Sequence, residues 1–249
     1  MKYLILFLLF IFIIACDDTT NPEDNIIKST GSYTKIKENQ TEDVLLPLKL
    51  GNYWVYMFKY DTTDEHTRMG GYDTLTVDGD TLFSGEKFFI LSRTYINFYV
   101  YFSFRVFVSN TDIGVWLHDQ FSANTNYLVV KYPAINNEIY YSDVKIWLYH
   151  APDTSYNNLK AERQLKVETN QNVVVDAGTF NCYKFTESYK NFKLYDLSND
   201  TVQFYQFVYY YALNVGKIKE EIYHITYFNG KEIKKEKLMT YSLKDYKLY

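Results

Sequence analysis

The segment Tyr72–Thr94, with the sequence YDTLTVDGDTLFSGEKFFILSRT, decides the fold class of this chain. Aromatic, β-branched and threonine residues dominate it, and such residues favour strands. The pair Asp78-Gly79 is a strong signal for a two-residue hairpin, which would place Leu75 opposite Leu82. Ser84-Gly85 marks a further turn. The segment therefore predicts antiparallel strands joined by tight turns.

The chain after residue 44 continues the same pattern. Asp176-Ala177-Gly178 predicts a turn between two strand-like segments, and Asn229-Gly230 predicts another two-residue hairpin. Simple pairing across that hairpin sets Ile225 opposite Lys234, which leaves neither face cleanly apolar, so a β-bulge is an open alternative. No stretch shows sustained helical spacing with caps. We predict an all-β fold of about ten to twelve strands in a curled antiparallel sheet, a half-barrel or barrel-like meander, with a β-sandwich as the alternative.

The first sixteen residues predict an export signal. They contain one positive charge at Lys2, an uninterrupted apolar run from Leu4 to Ile14, and a cysteine at position 16. A helix that crosses a bilayer needs about 20 apolar residues. Asp17 and Asp18 end this run after about a dozen, which suits a secretory signal better than a membrane span.

The four residues Ile13-Ile14-Ala15-Cys16 resemble the lipobox of bacterial lipoproteins. The resemblance implies that the Cys16 thiol takes a diacylglyceryl group, that the chain is cut before Cys16, and that the new amino terminus becomes available for a further acyl chain such as palmitate. Two buried acyl chains suffice for stable anchoring. We therefore expect a protein anchored to a membrane without spanning it; an ordinary cleaved signal and an uncleaved anchor are the alternatives.

These observations divide the chain into three parts. Residues 1–15 are the predicted signal peptide, and residues 16–43 are the lipidated cysteine followed by a polar, flexible tether. Residues 44–249 form the predicted single antiparallel β domain, which is long enough to bury a hydrophobic core without further support.

The charge and the cysteine content argue against a nucleic-acid partner and against an internal disulfide. The full chain has 26 basic and 30 acidic residues, and loss of the signal removes only Lys2, so the mature net charge is 25 − 30 = −5. No basic patch stands out in the sequence, which argues against a nucleic-acid partner. Cys182 is the only cysteine besides Cys16, so lipidation leaves no internal disulfide, and we expect the Cys182 thiol to be buried.

The sequence lacks the common motifs of catalysis and cofactor binding. The nucleophile elbow, the H-E-x-x-H and C-x-x-C pairs, and the glycine-rich phosphate loops are all missing. The four histidines show no metal-ligand spacing; they are His66, His118, His150 and His224. We therefore predict no catalytic residues, no metal site and no cofactor.

Several motifs together resemble a group of uncharacterised envelope lipoproteins from Bacteroidota. They are Gly51-Asn52-Tyr53-Trp54, Ala177-Gly178-Thr179-Phe180 with Cys182-Tyr183-Lys184, and Tyr210-Tyr211-Ala212 with Val215-Gly216-Lys217 and Glu220-Glu221. The resemblance carries no known activity. At the fold level these proteins are similar to the half-barrels of lipoprotein-sorting and lipid-carrying factors, but a shared fold does not transmit function.

The resemblance also bears on location. Asp17 after the cysteine would favour inner-membrane retention under the enterobacterial rule, whereas acidic residues there accompany surface export in Bacteroidota-like lipoproteins. We therefore expect the cell envelope, at the outer membrane, on its periplasmic face or at the cell surface.

Three functions from different classes are compatible with these features. The first is a non-enzymatic envelope lipoprotein whose curled sheet binds a hydrophobic or amphipathic ligand, or a partner protein, on its concave face. The second is a structural or surface-interaction module without a small-molecule ligand, and the third is an envelope hydrolase. Besides the membrane itself, the candidate partners are a lipid, a glycan or an envelope protein. The sequence does not indicate which residues bind the ligand.

Overall fold

The computed structural model describes residues 26–27, 43–61, 70–97, 101–119, 125–142, 149–150, 162–190, 201–228 and 231–249. The predicted signal peptide and Cys16 lie outside these residues, as does most of the predicted tether. Within the described ranges, no helix has the length and apolar character needed to cross a membrane.

Fourteen strands make up the described structure. They are β1 (Ile26–Ile27), β2 (Tyr53–Tyr60), β3 (Gly71–Phe83), β4 (Glu86–Asn97), β5 (Tyr101–Thr111), β6 (Gly114–Asp119), β7 (Thr125–Lys131), β8 (Ile139–Ser142), β9 (Tyr149–His150), β10 (Glu162–Val175), β11 (Gly178–Lys190), β12 (Thr201–Ala212), β13 (Gly216–Phe228) and β14 (Lys231–Lys247).

All these strands belong to one sheet, in the order β1-β8-β10-β11-β12-β13-β14-β2-β3-β4-β5-β6-β7, with β9 paired to β12. The twelve strands from β8 to β7 pair antiparallel throughout, whereas β1 pairs parallel with β8. The predicted all-β fold and curled antiparallel sheet are confirmed, and the sandwich alternative is wrong, because one sheet curls around its own core without closing into a barrel.

Strict alternation along the strands places one set of side chains on the concave face. In β2, Trp54, Tyr56 and Phe58 are buried and alternate with partly exposed neighbours. The corresponding faces of the other strands contribute Phe185 and Ile218, which are also fully buried. Because side chains alternate across a strand, the residues between these lie on the opposite, convex face of the sheet, which faces outward.

The segment 43–50 covers the end of the sheet where the tight turns lie, which we call the turn end. Leu45, Leu46 and Leu48 are buried in the core. The Asn110 side-chain amide donates a 2.5 Å hydrogen bond to the Leu46 carbonyl, and the Asn214 side-chain oxygen accepts a 3.0 Å bond from the Val44 amide. The apolar segment is thus held as a plug.

The two ends of the sheet meet through side chains at a seam between β7 and the β8–β10 pair. The backbone amide of Lys131 donates a 2.9 Å hydrogen bond to the Tyr140 hydroxyl, and the Arg163 guanidinium donates to the Leu128 carbonyl at 3.3 Å. An ion pair joins Lys131 to Glu138. Side chains therefore satisfy backbone groups that ladder bonds would satisfy in a closed barrel.

The predicted hairpin at Asp78-Gly79 is wrong. Strand β3 continues through it, with a bulge between Val77 and Gly79 opposite Leu91. The turn lies instead at Ser84-Gly85, whose φ angles are 53° and 85°, the positive pair that a two-residue hairpin requires. Leu75 consequently pairs with Arg93 and not with Leu82.

The second predicted hairpin has the expected strands and a shifted register. Phe228 pairs with Lys231, which fits the predicted two-residue connection, although residues 229–230 are themselves outside the described part of the chain. Two register shifts follow, so Ile225 faces Lys235 and not Lys234. The bulge that the sequence left open is thus present.

Candidate functional site

The concave face differs between its two ends. At the turn end it is filled by the plug and by large side chains such as Trp54, whose indole nitrogen donates a 2.6 Å hydrogen bond to the Val215 carbonyl. Gly216 makes this packing possible, because a Cβ atom there would lie 2.9 Å from the Trp54 indole nitrogen. No ligand of appreciable size fits among these residues.

At the opposite end, which we call the loop end, partly exposed aromatic side chains line the concave face. They form the aromatic trough: Tyr60, Phe102, Phe104, Tyr205, Phe207 and Tyr209. The rings of Phe102 and Phe104 stack with centroids 5.5 Å apart on β5, and those of Phe207 and Tyr209 with centroids 5.9 Å apart on β12. Strands β5 and β12 are six positions apart in a twelve-strand curl, so these pairs lie on opposite walls.

A layer of charged residues lies beneath the trough. Asp73 on β3 is 1% exposed and accepts hydrogen bonds at 2.9 Å from the Arg93 Nε atom. Burial alone would lower the Arg93 pKa, but the Asp73 carboxylate outweighs it and raises that pKa. The guanidinium stays protonated, and it also lies over the Phe104 ring, 5.5 Å from its centroid.

Lys217 and Glu220 form a second ion pair in this layer. The Lys217 ammonium lies over two rings, 5.4 Å from the Tyr56 centroid and 5.9 Å from the Tyr241 centroid. Such cation–π contacts are stronger where water is excluded. Burial raises the pKa of Tyr56 well above its ordinary value, with Tyr211 and nearby carboxylates adding to the rise. The Tyr56 phenol is therefore neutral at physiological pH, and it donates a 3.0 Å hydrogen bond to the Lys217 carbonyl.

The third pair, Arg163 with Glu187, joins this layer to the seam. Their nitrogen and oxygen atoms are 2.8 Å apart, and the side chains are 5% and 4% exposed. The Tyr209 hydroxyl donates a 3.4 Å hydrogen bond to the same carboxylate, which links the pair to the trough wall. The polar layer therefore contains three cations and three carboxylates, each in an ion pair.

The charged groups beneath the trough hold one another in ion pairs and form a rigid floor. Within the part of the chain that the structure describes, no three histidine, cysteine or acidic side chains converge as metal ligands. The described part of the site offers aromatic surface above a charge-balanced base, which suits an apolar or amphipathic molecule.

The residues singled out from the sequence fall in different places. Cys16 lies outside the described residues, so its lipidation stays a prediction, and His66 lies outside them as well. Cys182 is 1% exposed, as expected, and burial raises the pKa of its thiol to about 12. His118 lies on the convex face, where its ring stacks on Phe83 with centroids 3.7 Å apart.

Sequence reasoning did not identify the polar layer or the trough. Asp73 alternates with Leu75 and Val77 on the inward face of β3, so its burial could have been inferred from strand periodicity. Its partner Arg93 could not, because the pairing depends on the bulge that shifts the register of β3 against β4. Likewise, the opposition of β5 and β12 depends on the curl of the whole sheet.

Part of the second half of the chain is similar to a known protein family. A family model described as DUF3108-like matches residues 136–243, which contain β8 to β13 and most of β14. No curated protein matches this sequence.

Two solved structures resemble the chain. A candidate lipoprotein from Parabacteroides distasonis ATCC 8503 is 16% identical with a TM-score of 0.41; the match covers 84% of this chain and 100% of that one. A candidate exported protein with a YMCC-like fold from Bacteroides fragilis NCTC 9343 is 15% identical with a TM-score of 0.43, covering 81% and 98%.

Proposed function

We propose that this protein is a non-enzymatic envelope lipoprotein, anchored through Cys16, that binds a hydrophobic or amphipathic ligand in the aromatic trough. The observation that carries the proposal is that aromatic side chains on both walls of the concave face stay partly exposed, although the turn end of the same face is filled. Exposed aromatic surface in a concavity is typical of ligand sites.

The polar layer defines how deep a ligand reaches. Asp73 and the Arg163–Glu187 pair are buried, and Arg93, which pairs with Asp73, is partly exposed. Displacing either arginine would leave a buried carboxylate without its cation, which costs several kcal/mol. A bound molecule therefore stays above this layer, with its apolar part between Phe104 and Phe207.

The test is native mass spectrometry of the mature protein purified from a bacterial envelope under mild conditions. We expect a discrete bound lipid or glycan mass that is lost in the double variant Phe104→Ser, Phe207→Ser. The matched control is Tyr72→Ser, Tyr101→Ser, which removes two aromatic rings from the convex face and should retain the mass. A bare protein mass in the wild type would refute the ligand and leave an interaction module as the better interpretation.

Anchoring and location are tested separately. Metabolic labelling with an alkyne fatty acid should mark the wild type and leave Cys16→Ser unlabelled. For location we propose the outer membrane, and fractionation should recover the labelled protein there. Protease treatment of intact cells then distinguishes the cell surface, where the domain is digested, from the periplasmic face, where it survives.

A further inference from the structure

The convex face carries an exposed apolar row across three strands. Tyr72 on β3 pairs with Ile96 on β4, which pairs with Tyr101 on β5. Their side chains are 42%, 44% and 72% exposed. Three large apolar residues in register form a continuous patch, and such patches mark interaction surfaces more often than scattered single residues do.

Cations outnumber acids on this face. On the convex faces of β13, β14 and β2 to β5, the described cations are Lys59, Arg105, Lys219, Lys235, Lys237, Lys244 and Lys247, and the acids that the strand register places there are Asp61, Glu86, Glu221, Glu232 and Asp245. Seven positive against five negative charges give this face a net positive charge, whereas the whole chain has a net charge of −4. An anionic partner is therefore complementary to this face.

Lysine stems and tyrosine rings are combined on this surface. The Lys244 ammonium lies 5.1 Å from the Tyr72 ring centroid, and the Lys235 ammonium lies 4.7 Å from that of Tyr223. Glu221 accepts a 3.0 Å hydrogen bond from the Tyr223 hydroxyl and forms ion pairs with neighbouring lysines. Side chains with an apolar body and a polar tip suit the interface between lipid headgroups and water.

We propose that this convex face docks on an anionic phospholipid bilayer, with Tyr72, Ile96 and Tyr101 at the level of the headgroups and the lysines against the lipid phosphates. The contact lies on the opposite face from the aromatic trough and does not depend on a ligand there. It rests on the proposed anchoring for its setting, since the acyl chains at Cys16 keep the domain close to a membrane and raise its effective concentration at the surface. Docking then gives the domain one orientation, with the convex face toward the lipid.

The experiment measures vesicle binding without the anchor. The mature polypeptide from Cys16 onward is made without its leader, so that Cys16 stays unacylated, and is co-sedimented with vesicles of pure phosphatidylcholine or of equal parts phosphatidylcholine and phosphatidylglycerol. We expect binding to the anionic vesicles only, and its loss at about 1 M salt, where the screening length is about 3 Å.

Two charge-reversal variants locate the contact. Lys59→Glu with Lys244→Glu should lower the partition coefficient at least about 25-fold, because each lysine lost near an anionic surface costs about fivefold. The control Lys49→Glu with Lys234→Glu makes the same change of charge at exposed sites off this face and should keep nearly all the binding. Thermal unfolding verifies that both variants fold.

Three results would overturn the proposal: no binding of the wild type to anionic vesicles, equal losses in the two variants, or binding that survives high salt unchanged. The wild type could instead self-associate without binding vesicles, and the Lys59→Glu, Lys244→Glu variant could be monomeric. That result would assign the face to contact with a second copy of the chain. The ligand proposal is unaffected by any of these results, because it is read from the bound mass in the trough.

Discussion

The variant Arg163→Met tests how much the buried ion pair at the seam contributes to the stability of the curled sheet. It removes a guanidinium that pairs with Glu187 at 2.8 Å and donates to the Leu128 carbonyl at 3.3 Å. Glu187 would stay 4% exposed without that cation. Breaking a buried ion pair by removing one partner costs about 3–5 kcal/mol, a large share of the 5–15 kcal/mol typical of a whole domain. We expect a loss of unfolding free energy in that range.

Urea unfolding monitored by tryptophan fluorescence measures this loss. The double variant Arg163→Met, Glu187→Leu should recover most of it, because no charge is left buried. The matched control is Lys184→Met, which breaks a more exposed pair with Glu168 on the same two strands and should cost at most about 1 kcal/mol. A cost below about 1 kcal/mol for Arg163→Met itself would show that water reaches the pair and would refute a closed seam.

Three further predictions concern single residues. Gly216→Ala should destabilise the protein more than Gly85→Ala in thermal unfolding, because both have positive φ but only the first would place a Cβ 2.9 Å from Trp54. The Cys182 thiol, whose pKa burial raises to about 12, should resist iodoacetamide at pH 8 in native protein and react in urea; rapid native labelling would contradict its burial. Burial opposes ionisation of Glu221, but its lysine partners lower its pKa from 4.5 to about 2. The ionised carboxylate should therefore stabilise the fold above about pH 4.5, and this contribution should be lost as the pH falls toward 2. In acid titrations of the unfolding free energy, Glu221→Gln should flatten that dependence.

The concave face shows where sequence reasoning reached its limit. Strand β2 is apolar on both of its faces, so the sequence predicts the strand but not that Trp54, Tyr56 and Phe58 form its inward face. The turn pairs were less informative, because Asp-Gly and Ser-Gly have similar local preferences and only one of them has the positive φ angles of a hairpin turn. The choice depends on strand pairing on both sides, which is not a local property.

The sequence by itself determined the all-β class, because strand preference and turn chemistry act over a few residues. The tertiary structure alone decided the register shifts and the seam, since both are set by residues far apart in the chain. Lys217 and Glu220 are close in sequence, but their position under Tyr241 depends on β13 and β14 pairing through two bulges. The aromatic trough likewise exists only because a twelve-strand curl brings β5 and β12 to opposite walls, and local sequence preferences carry no information about that closure.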